Sequence, residues 1–173
     1  FGTFQWQIQG NNIYNMDPTI VLGPDLYGPA ANIGVDGANE LDMEFSKWGT
    51  TDNSINGDFT FYPATGHQSC NSQGCKDSWY YPYFQTPAPA SGFTTVRIDW
   101  SSTQVIGTLM DGLVPIGTTS NVLQTTTFSG TTAQIPQVAI PSAVNLWNYA
   151  ASGNPMPTQN WEVIIRGFQF SAH

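Results

Sequence analysis

Charged residues are scarce in this chain, and basic residues are the scarcest of them. Only 9% of the 173 residues are charged, compared with roughly 25% in an average globular chain. Four are basic (Lys47, Lys76, Arg97 and Arg166), and the net charge is −8. Nucleic acids and anionic membranes need clustered basic residues, so the composition argues against either partner. A neutral polymer would not be repelled.

Long apolar runs and cysteines are also scarce. No run approaches the roughly 18 apolar residues of a membrane-spanning helix. Because the sequence opens in a strand-like segment without a starting methionine or leader, we expect a processed or incomplete chain. Cys70 and Cys75 favour a local disulfide in an oxidising compartment, and hence a secreted protein. Free thiols or half a zinc site are alternatives, although His67 and His173 have no zinc-site spacing.

Helical periodicity is hard to find, whereas apolar and polar residues alternate with a period of two in many segments. This period is typical of β-strands with one buried face. The strand-like segments are Phe4 to Ile8, Glu40 to Phe45, Asp58 to Tyr62, Phe93 to Trp100, Gln104 to Met110, Leu113 to Ile116 and Val163 to Phe170, together with the apolar segment Val138 to Trp147, which is broken by Pro141. Asp111-Gly112 predicts a hairpin turn. Short strands joined by turns predict an all-β sandwich or barrel, with residues 1–173 as one domain.

The most informative segment is the acidic strand, Glu40-Leu41-Asp42-Met43-Glu44-Phe45. Because strand side chains alternate between two faces, Glu40, Asp42 and Glu44 share one face. Two carboxyl groups about 5–5.5 Å apart can split a glycosidic bond with retention of configuration. One attacks the anomeric carbon, and the other donates a proton to the leaving oxygen. The charge of Asp42 would help to keep that acid protonated.

Two other interpretations of the acidic strand stay open. The strand could present a solvated face that happens to be acidic, or its carboxylates could bind calcium. Calcium sites usually draw on loops and backbone carbonyls, whereas this segment has the pattern of an uninterrupted strand. We therefore expect no cofactor, although a structural calcium ion would need no readable motif.

The acidic strand resembles the glutamate-x-aspartate-x-glutamate signature of glycoside hydrolase family 16, in the form without a bulge. Weaker matches occur in the family's order at Phe1-Gly2-Thr3-Phe4, at Phe93 to Trp100 with Asp111-Gly112, and at Asn145-Leu146-Trp147. The resemblance implies a β-jelly-roll of two antiparallel sheets, similar to concanavalin A, with a glycan cleft on the concave face. Two N-terminal strands usual in the family have no counterpart in this sequence.

The resemblance also implies roles for individual residues. Glu40 would be the nucleophile, Glu44 the acid/base and Asp42 the assisting carboxylate. Asn145 and Trp147 would border the cleft. Three further residues, Asp58, Thr60 and Tyr62, fall where the next cleft strand of the family contributes side chains.

Aromatic residues outside the signature are candidates for sugar contacts. Trp48 follows the acidic strand, and Trp79 lies in a loop segment with Tyr80, Tyr81, Tyr83 and Phe84. Aromatic rings bury sugar faces at little cost in conformational entropy. The alternative for the loop cluster is that it caps one end of the sandwich. Three other tryptophans, Trp6, Trp100 and Trp161, have strand-like spacing and are expected in the core.

The sequence departs from the family pattern at several positions. Ala38 replaces a tryptophan two residues before the nucleophile, and Thr108 replaces one before the aspartate-glycine turn. Gln5 stands where glucanases of the family carry an acid. Because these departures remove usual sugar platforms, the resemblance defines the reaction more closely than the substrate.

These observations predict a secreted, monomeric, endo-acting β-glycan hydrolase that retains configuration. The expected substrate is a β-1,3/1,4-glucan or a related β-linked polysaccharide. The alternatives are a carbohydrate-binding jelly-roll without turnover and a transglycosylase on the same scaffold.

Overall fold

The computed structural model of this chain describes residues 1–10, 12–27, 39–51, 53–62, 70–71, 74–75, 82–149 and 156–173. Within these ranges the chain is nearly all β, with one short 3-10 helix at Asn12–Asn15. The strands are β1 (Gly2–Gln9), β2 (Ile20–Tyr27), β3 (Glu40–Ser46), β4 (Gly57–Tyr62), β5 (Cys70–Asn71), β6 (Gly74–Cys75), β7 (Tyr83–Phe84), β8 (Phe93–Trp100), β9 (Gln104–Asp111), β10 (Val122–Ser129), β11 (Ser142–Asn148) and β12 (Ile164–Ala172). The all-β prediction is confirmed.

Ten of these strands form two five-stranded antiparallel sheets. The sheet that we call the back sheet has the order β10-β9-β8-β1-β12. The sheet that we call the groove sheet has the order β11-β2-β3-β4-β7 and carries the acidic strand, β3, at its centre. Strands β5 and β6 pair with each other as a separate two-stranded unit. The acidic residues therefore stand on a strand that is hydrogen-bonded to a neighbour on each side.

The core lies between the inner faces of the two sheets. From the groove sheet it receives Leu41, Met43 and Phe45, which are fully buried. From the back sheet it receives Trp6 and Trp100, as predicted, and Trp161 packs against the cluster while partly buried. Each fully buried side chain of this size contributes about 1.5–3 kcal/mol by leaving water. Alternation along β3 therefore fixes which face the acids occupy.

The predicted hairpin at Asp111-Gly112 is wrong. Strand β9 pairs with β10, which begins only at Val122, and residues 113–116 are not in a strand. Pro115 has no N–H to donate to a ladder, and its carbonyl accepts from Arg97. Arg97 Nη2 also donates to the Thr118 carbonyl at 2.6 Å. The segment is thus held as a loop by a buried arginine instead of by strand pairing.

Gln5, which stands where glucanases of the resembling family carry an acid, lies away from the acidic strand. It lies on β1, on the outer face of the back sheet, and is completely buried under the loop after β9. Its Oε1 accepts from Arg97 Nη2 at 2.6 Å, and its Nε2 donates to the Val114 carbonyl at 2.7 Å. Gln5 therefore holds that loop in place and lies on the sheet opposite the acidic strand.

The end strands β11 and β12 leave part of the sandwich interior exposed. Phe168 and Phe170 on β12 pair in register with Trp6 and Phe4, so their rings share the inward face of the back sheet. They contact those rings at 5.5 and 4.7 Å between centroids, yet about half of each side chain is exposed. On β11, Leu146 is similarly exposed opposite Leu22. Among the described residues, nothing covers this edge.

The two cysteines face each other in the β5–β6 pair, in which Cys70 is the register partner of Cys75. Antiparallel partners have Cα atoms about 4.5–5.5 Å apart, which is within the range of a disulfide. Their side chains lie outside the described part of the structure, so the disulfide stays a prediction. Within the described ranges, no helix has the length and apolar character needed to cross a membrane.

Gly107 on β9 is a site where the two sheets approach each other closely. A Cβ at this position would lie 2.4 Å from Cδ1 of Phe59, a core residue of the facing groove sheet. We expect Gly107→Ala to lower the free energy of unfolding by about 1–3 kcal/mol because the core is overpacked there. Urea denaturation measures this change. In a Phe59→Leu background the penalty should shrink, and an equal penalty in both backgrounds would exclude the ring contact as its cause.

Candidate functional site

Strand pairing brings the predicted site residues onto one face of the groove sheet. On β3, Glu40 and Glu44 are half-buried and Asp42 is buried, whereas the residues between them point into the core. On β4, Tyr62 is the register partner of Glu40, Thr60 of Asp42, and Asp58 of Glu44. Register partners in an antiparallel pair share a face. The register runs from Glu40 to Glu44 without a shift, so β3 has no bulge against β4.

Five of the chain's twelve acidic residues crowd this face. Besides the three on β3, Asp58 lies on β4, and Asp25 on β2 is the register partner of Asp42. No basic side chain lines the described part of the groove. Lys47 donates to two asparagines, Asn15 and Asn53, on another surface, Arg97 is under the back-sheet loop, Arg166 is on β12, and Lys76 is outside the described residues. The charged side chains described on this face are therefore all acidic.

Burial and repulsion raise the pKa values of the three aspartates. Burial raises the pKa of Asp42 well above its usual range, and the neighbouring charges of Glu40, Glu44, Asp25 and Asp58 raise it further. Burial raises the pKa of Asp25 to about 6. Burial also raises the pKa of Asp58 to about 6, although the hydrogen bonds from Thr60 and Trp48 act in the opposite direction. The centre of the cluster thus resists ionisation near neutral pH.

Two adjoining cavities form the groove above these acids. One has a volume of about 390 Å³ and reaches from Glu40 and Tyr27 to β11. The other has a volume of about 400 Å³ and lies above Asp58, Thr60 and Tyr83. Both are lined by Glu44, Trp48, Tyr62 and Tyr149. The acidic strand therefore lies in the middle of an open groove instead of at its end.

Aromatic rings form one wall of the groove. Trp48 meets Tyr149 edge to face at 5.2 Å between ring centroids, and Trp147 lies 6.1 Å from Trp48 and 6.2 Å from Tyr149. Trp48 has a φ of 48°, in the left-handed region that bulky residues rarely adopt. Its indole Nε1 donates to Asp58 Oδ1 at 2.8 Å, and its backbone N donates to Ser46 Oγ at 3.0 Å. These bonds hold the ring over the acids.

Asn145 reaches across β2 to the acid cluster. Its Nδ2 donates to Asp25 Oδ2 at 2.8 Å. The register partner of Asn145 is Gly23, where an added Cβ would lie 2.8 Å from Asn145 Oδ1. Glycine at this position therefore leaves the space that the Asn145 amide occupies.

Most of the residues predicted from sequence lie together in the groove. These are Glu40, Asp42, Glu44, Trp48, Asp58, Thr60, Tyr62, Asn145 and Trp147. Trp79, Tyr80, Tyr81 and His67 lie outside the described residues. The catalytic and binding roles of all the residues predicted from sequence remain predictions.

Sequence reasoning missed three groove residues: Asp25, Tyr27 and Tyr149. Tyr149 had a usable signal, because it is two residues after Trp147 and would share its face if the strand continued. The position of Asp25 opposite Asp42 depends on the β2–β3 register, for which the sequence contains no local sign. Among the described residues, no group of three or more histidine, cysteine, aspartate or glutamate side chains has a metal-binding arrangement.

Comparison with known proteins identifies the fold. No family model and no curated protein matches the chain. Among solved structures, a β-glucanase from Bacillus licheniformis is similar with a TM-score of 0.58 and 18% sequence identity, over 100% of this chain and 67% of that one. The fold is a jelly-roll β-sandwich. At 18% identity, the similarity shows the fold alone. The expected jelly-roll is therefore confirmed. The chemistry has to be argued from the residues of the groove.

The raised pKa values predict how stability depends on pH. A carboxyl group whose pKa is near 6 when folded and near 4 when unfolded binds more protons in the folded state between those values. Its contribution to the free energy of unfolding therefore falls as pH rises through that window.

We expect the double substitution Asp25→Asn and Asp58→Asn to remove part of this pH dependence. Relative to the unsubstituted protein, the double variant should gain stability between pH 4 and pH 7, by on the order of 1–3 kcal/mol. Urea denaturation at several pH values measures the difference. A difference that stays constant with pH, or that grows toward low pH, would contradict the assignment.

Proposed function

We propose that this protein is an endo-acting β-glycan hydrolase that retains anomeric configuration. The observation that carries the proposal is the placement of Glu40 and Glu44 on one strand face, at the centre of an open groove walled by aromatic rings. The resemblance of β3 to the glycoside hydrolase family 16 signature and the likeness to a β-glucanase fold support the same reaction. A β-1,3/1,4-glucan or related β-linked polysaccharide is the proposed substrate.

The proposed reaction divides between the two glutamates. Glu40 attacks the anomeric carbon and forms a glycosyl-enzyme, while Glu44 gives its proton to the departing glycosidic oxygen. Glu44 then takes a proton from water, and this water releases the sugar from Glu40 with net retention. Each glutamate has the longer arm that residues four apart on a strand need to approach one bond.

Asp42 is proposed to assist both glutamates from between them. Its raised pKa favours the protonated form, in which its carboxyl group can donate a hydrogen bond as well as accept one. Asp42 Oδ1 is buried without a hydrogen-bond partner among the described residues. A proton on the Asp42 carboxyl removes one negative charge from the strand. Repulsion is then weaker, so Glu40 stays ionised more readily.

The shape of the groove supports internal cleavage of a chain. Cavities extend on both sides of Glu44, so sugar units could occupy positions before and after the scissile bond. Rings of Trp48, Trp147 and Tyr149 offer apolar surface for sugar faces. The shape of this wall would then select the substrate and its chain length.

We also propose that the protein is a secreted monomer, because of its composition and its cysteine pair.

Glycan binding without turnover is the second candidate. The aromatic wall favours it, because stacking surfaces serve binding whether or not a bond is cut. Transglycosylation is a variant of the first candidate, since a sugar hydroxyl can replace water in attacking the same glycosyl-enzyme. Products of changed chain length without new reducing ends would indicate it.

Replacing the nucleophile tests the proposal directly. We expect Glu40→Gln to lower kcat on mixed-linkage β-glucan by at least about a thousandfold, because a neutral amide cannot form the glycosyl-enzyme. The matched control is Glu162→Gln, which changes the one other glutamate of the chain, an exposed residue. It should keep full activity.

NMR of the first product formed by the unsubstituted protein should show the β-anomer before mutarotation. Undiminished cleavage by the Glu40→Gln variant would rule out the assigned nucleophile. An α-anomer as first product would rule out retention. Saturable binding without cleavage by the unsubstituted protein, on a panel of β-glucans, xyloglucan and galactans, would favour the second candidate.

The aromatic wall can be tested apart from catalysis. In the Glu40→Gln background we expect Trp147→Ala to weaken oligosaccharide binding about tenfold, or ~1.4 kcal/mol, through lost stacking area. Phe1→Ala is the control, since Phe1 is an exposed aromatic residue that packs on Trp100 of the back sheet. Isothermal titration calorimetry gives both affinities. Equal affinity for the Trp147→Ala variant and its parent would remove this ring from the binding site.

A further inference from the structure

We propose that Asp25 is a positioning residue whose charge, held beside Asp42, sets the upper pH limit of the glutamate pair. The inference rests on the proposed hydrolase function. It assigns a role to a residue on the strand next to the acidic strand, which the signature does not include.

The backbone fixes the position of Asp25. It is the register partner of Asp42 across β2 and β3, so both side chains lie on the groove face. Both are almost completely buried, with 3% and 4% of their surface exposed. Asp25 is therefore part of the cluster and is not a solvated charge on the rim.

Two unsatisfied oxygens point to a shared proton. Asp25 Oδ1 and Asp42 Oδ1 are both buried without a hydrogen-bond partner in the described structure. An ionised carboxylate can only accept hydrogen bonds, whereas a protonated carboxyl can also donate one. Two buried carboxyl groups on one face do not both ionise readily, so the pair tends to hold one proton between them.

Asn145 selects which oxygen of Asp25 remains available. Its Nδ2 donates to Oδ2 at 2.8 Å, and this leaves Oδ1 as the unsatisfied atom. A hydrogen bond from a neutral amide favours the ionised form of the carboxylate that receives it. Gly23 makes this contact possible, because a Cβ there would lie 2.8 Å from Asn145 Oδ1.

The titratable groups around Asp25 come from three strands and from Tyr149, which follows β11. Strand β3 contributes Glu40, Asp42 and Glu44, β4 contributes Asp58 and Tyr62, and β2 itself contributes Tyr27. The described part of β11 contributes Asn145 and Trp147 to this face and no charge. Ionised Asp25 thus adds a negative charge to a face on which the charged side chains described on β2, β3 and β4 are all acidic.

The sign of the effect follows from like-charge repulsion. Once the shared proton is lost, Asp25 and Asp42 carry two negative charges, whereas Asp42 without Asp25 carries one. The second charge disfavours loss of the proton from Glu44. The acid/base therefore keeps its proton to a higher pH than it would without Asp25. Removing the charge of Asp25 should move the basic limb of the activity profile toward lower pH.

The test is the pH profile of kcat/KM for Asp25→Asn, measured on mixed-linkage β-glucan. The variant keeps the shape of the side chain and an oxygen that can accept from Asn145. We expect the basic limb to move to lower pH by on the order of half a unit, while kcat at the optimum changes less than threefold. Glu162→Gln, which removes one negative charge far from the groove, should leave both limbs in place.

Gly23→Ala provides a second variant that keeps Asp25. Its Cβ displaces the Asn145 amide, so Asp25 ionises less readily and the basic limb should move in the same direction by a smaller amount. An unmoved basic limb in a folded Asp25→Asn variant would overturn the proposal. So would a uniform loss of activity at every pH, or failure of the variant to fold at pH 7, because either result indicates a structural role alone.

The proposed reaction and the proposed role of Asp25 can be disproved separately. Retained activity in Glu40→Gln would remove the proposed reaction and with it the role of Asp25. A normal pH profile for Asp25→Asn beside an inactive Glu40→Gln variant would remove only the role of Asp25.

Discussion

Crowding of like charges on one sheet face is the constraint on which the rest of this structure depends. Four carboxyl groups line the groove and a fifth, that of Asp25, is buried on the same sheet face, and the described charged residues that line the groove are all acidic. Such an arrangement is unstable by itself, because burial and repulsion both penalise ionisation. It persists because the alternate residues of the same strand, Leu41, Met43 and Phe45, are fully buried between the sheets. The apolar face of β3 thus holds its acidic face in place.

Residues next to the acidic strand have backbone conformations and close contacts that local preference does not favour. Trp48 adopts a left-handed backbone conformation, and its indole donates a hydrogen bond to Asp58 in the groove. Gly23 leaves an opening beside which the Asn145 amide meets Asp25. Strain and close approach of this kind concentrate where a surface has a function beyond stability.

The pattern of apolar and polar residues predicted much of the fold. Alternation at Phe4 to Ile8, Glu40 to Phe45 and Phe93 to Trp100 reflects side chains that enter or leave one core. The failures have a common cause, since each concerns a contact between distant segments. The stretch from Leu113 to Ile116 has a strand-like composition, but Arg97 and Gln5 donate hydrogen bonds to its carbonyls and hold it as a loop. No local pattern could reveal those partners.

For the candidate site, the sequence by itself determined that Glu40, Asp42 and Glu44 share one face, because a strand has a period of two. It also determined that this face is acidic in a chain with few charges. Only the tertiary structure decided what stands beside them. Register between strands placed Asp25 opposite Asp42, and packing brought Trp147 and Tyr149 from more than a hundred residues away. Periodicity is a local property of the chain, whereas register and approach arise only when distant strands share one core.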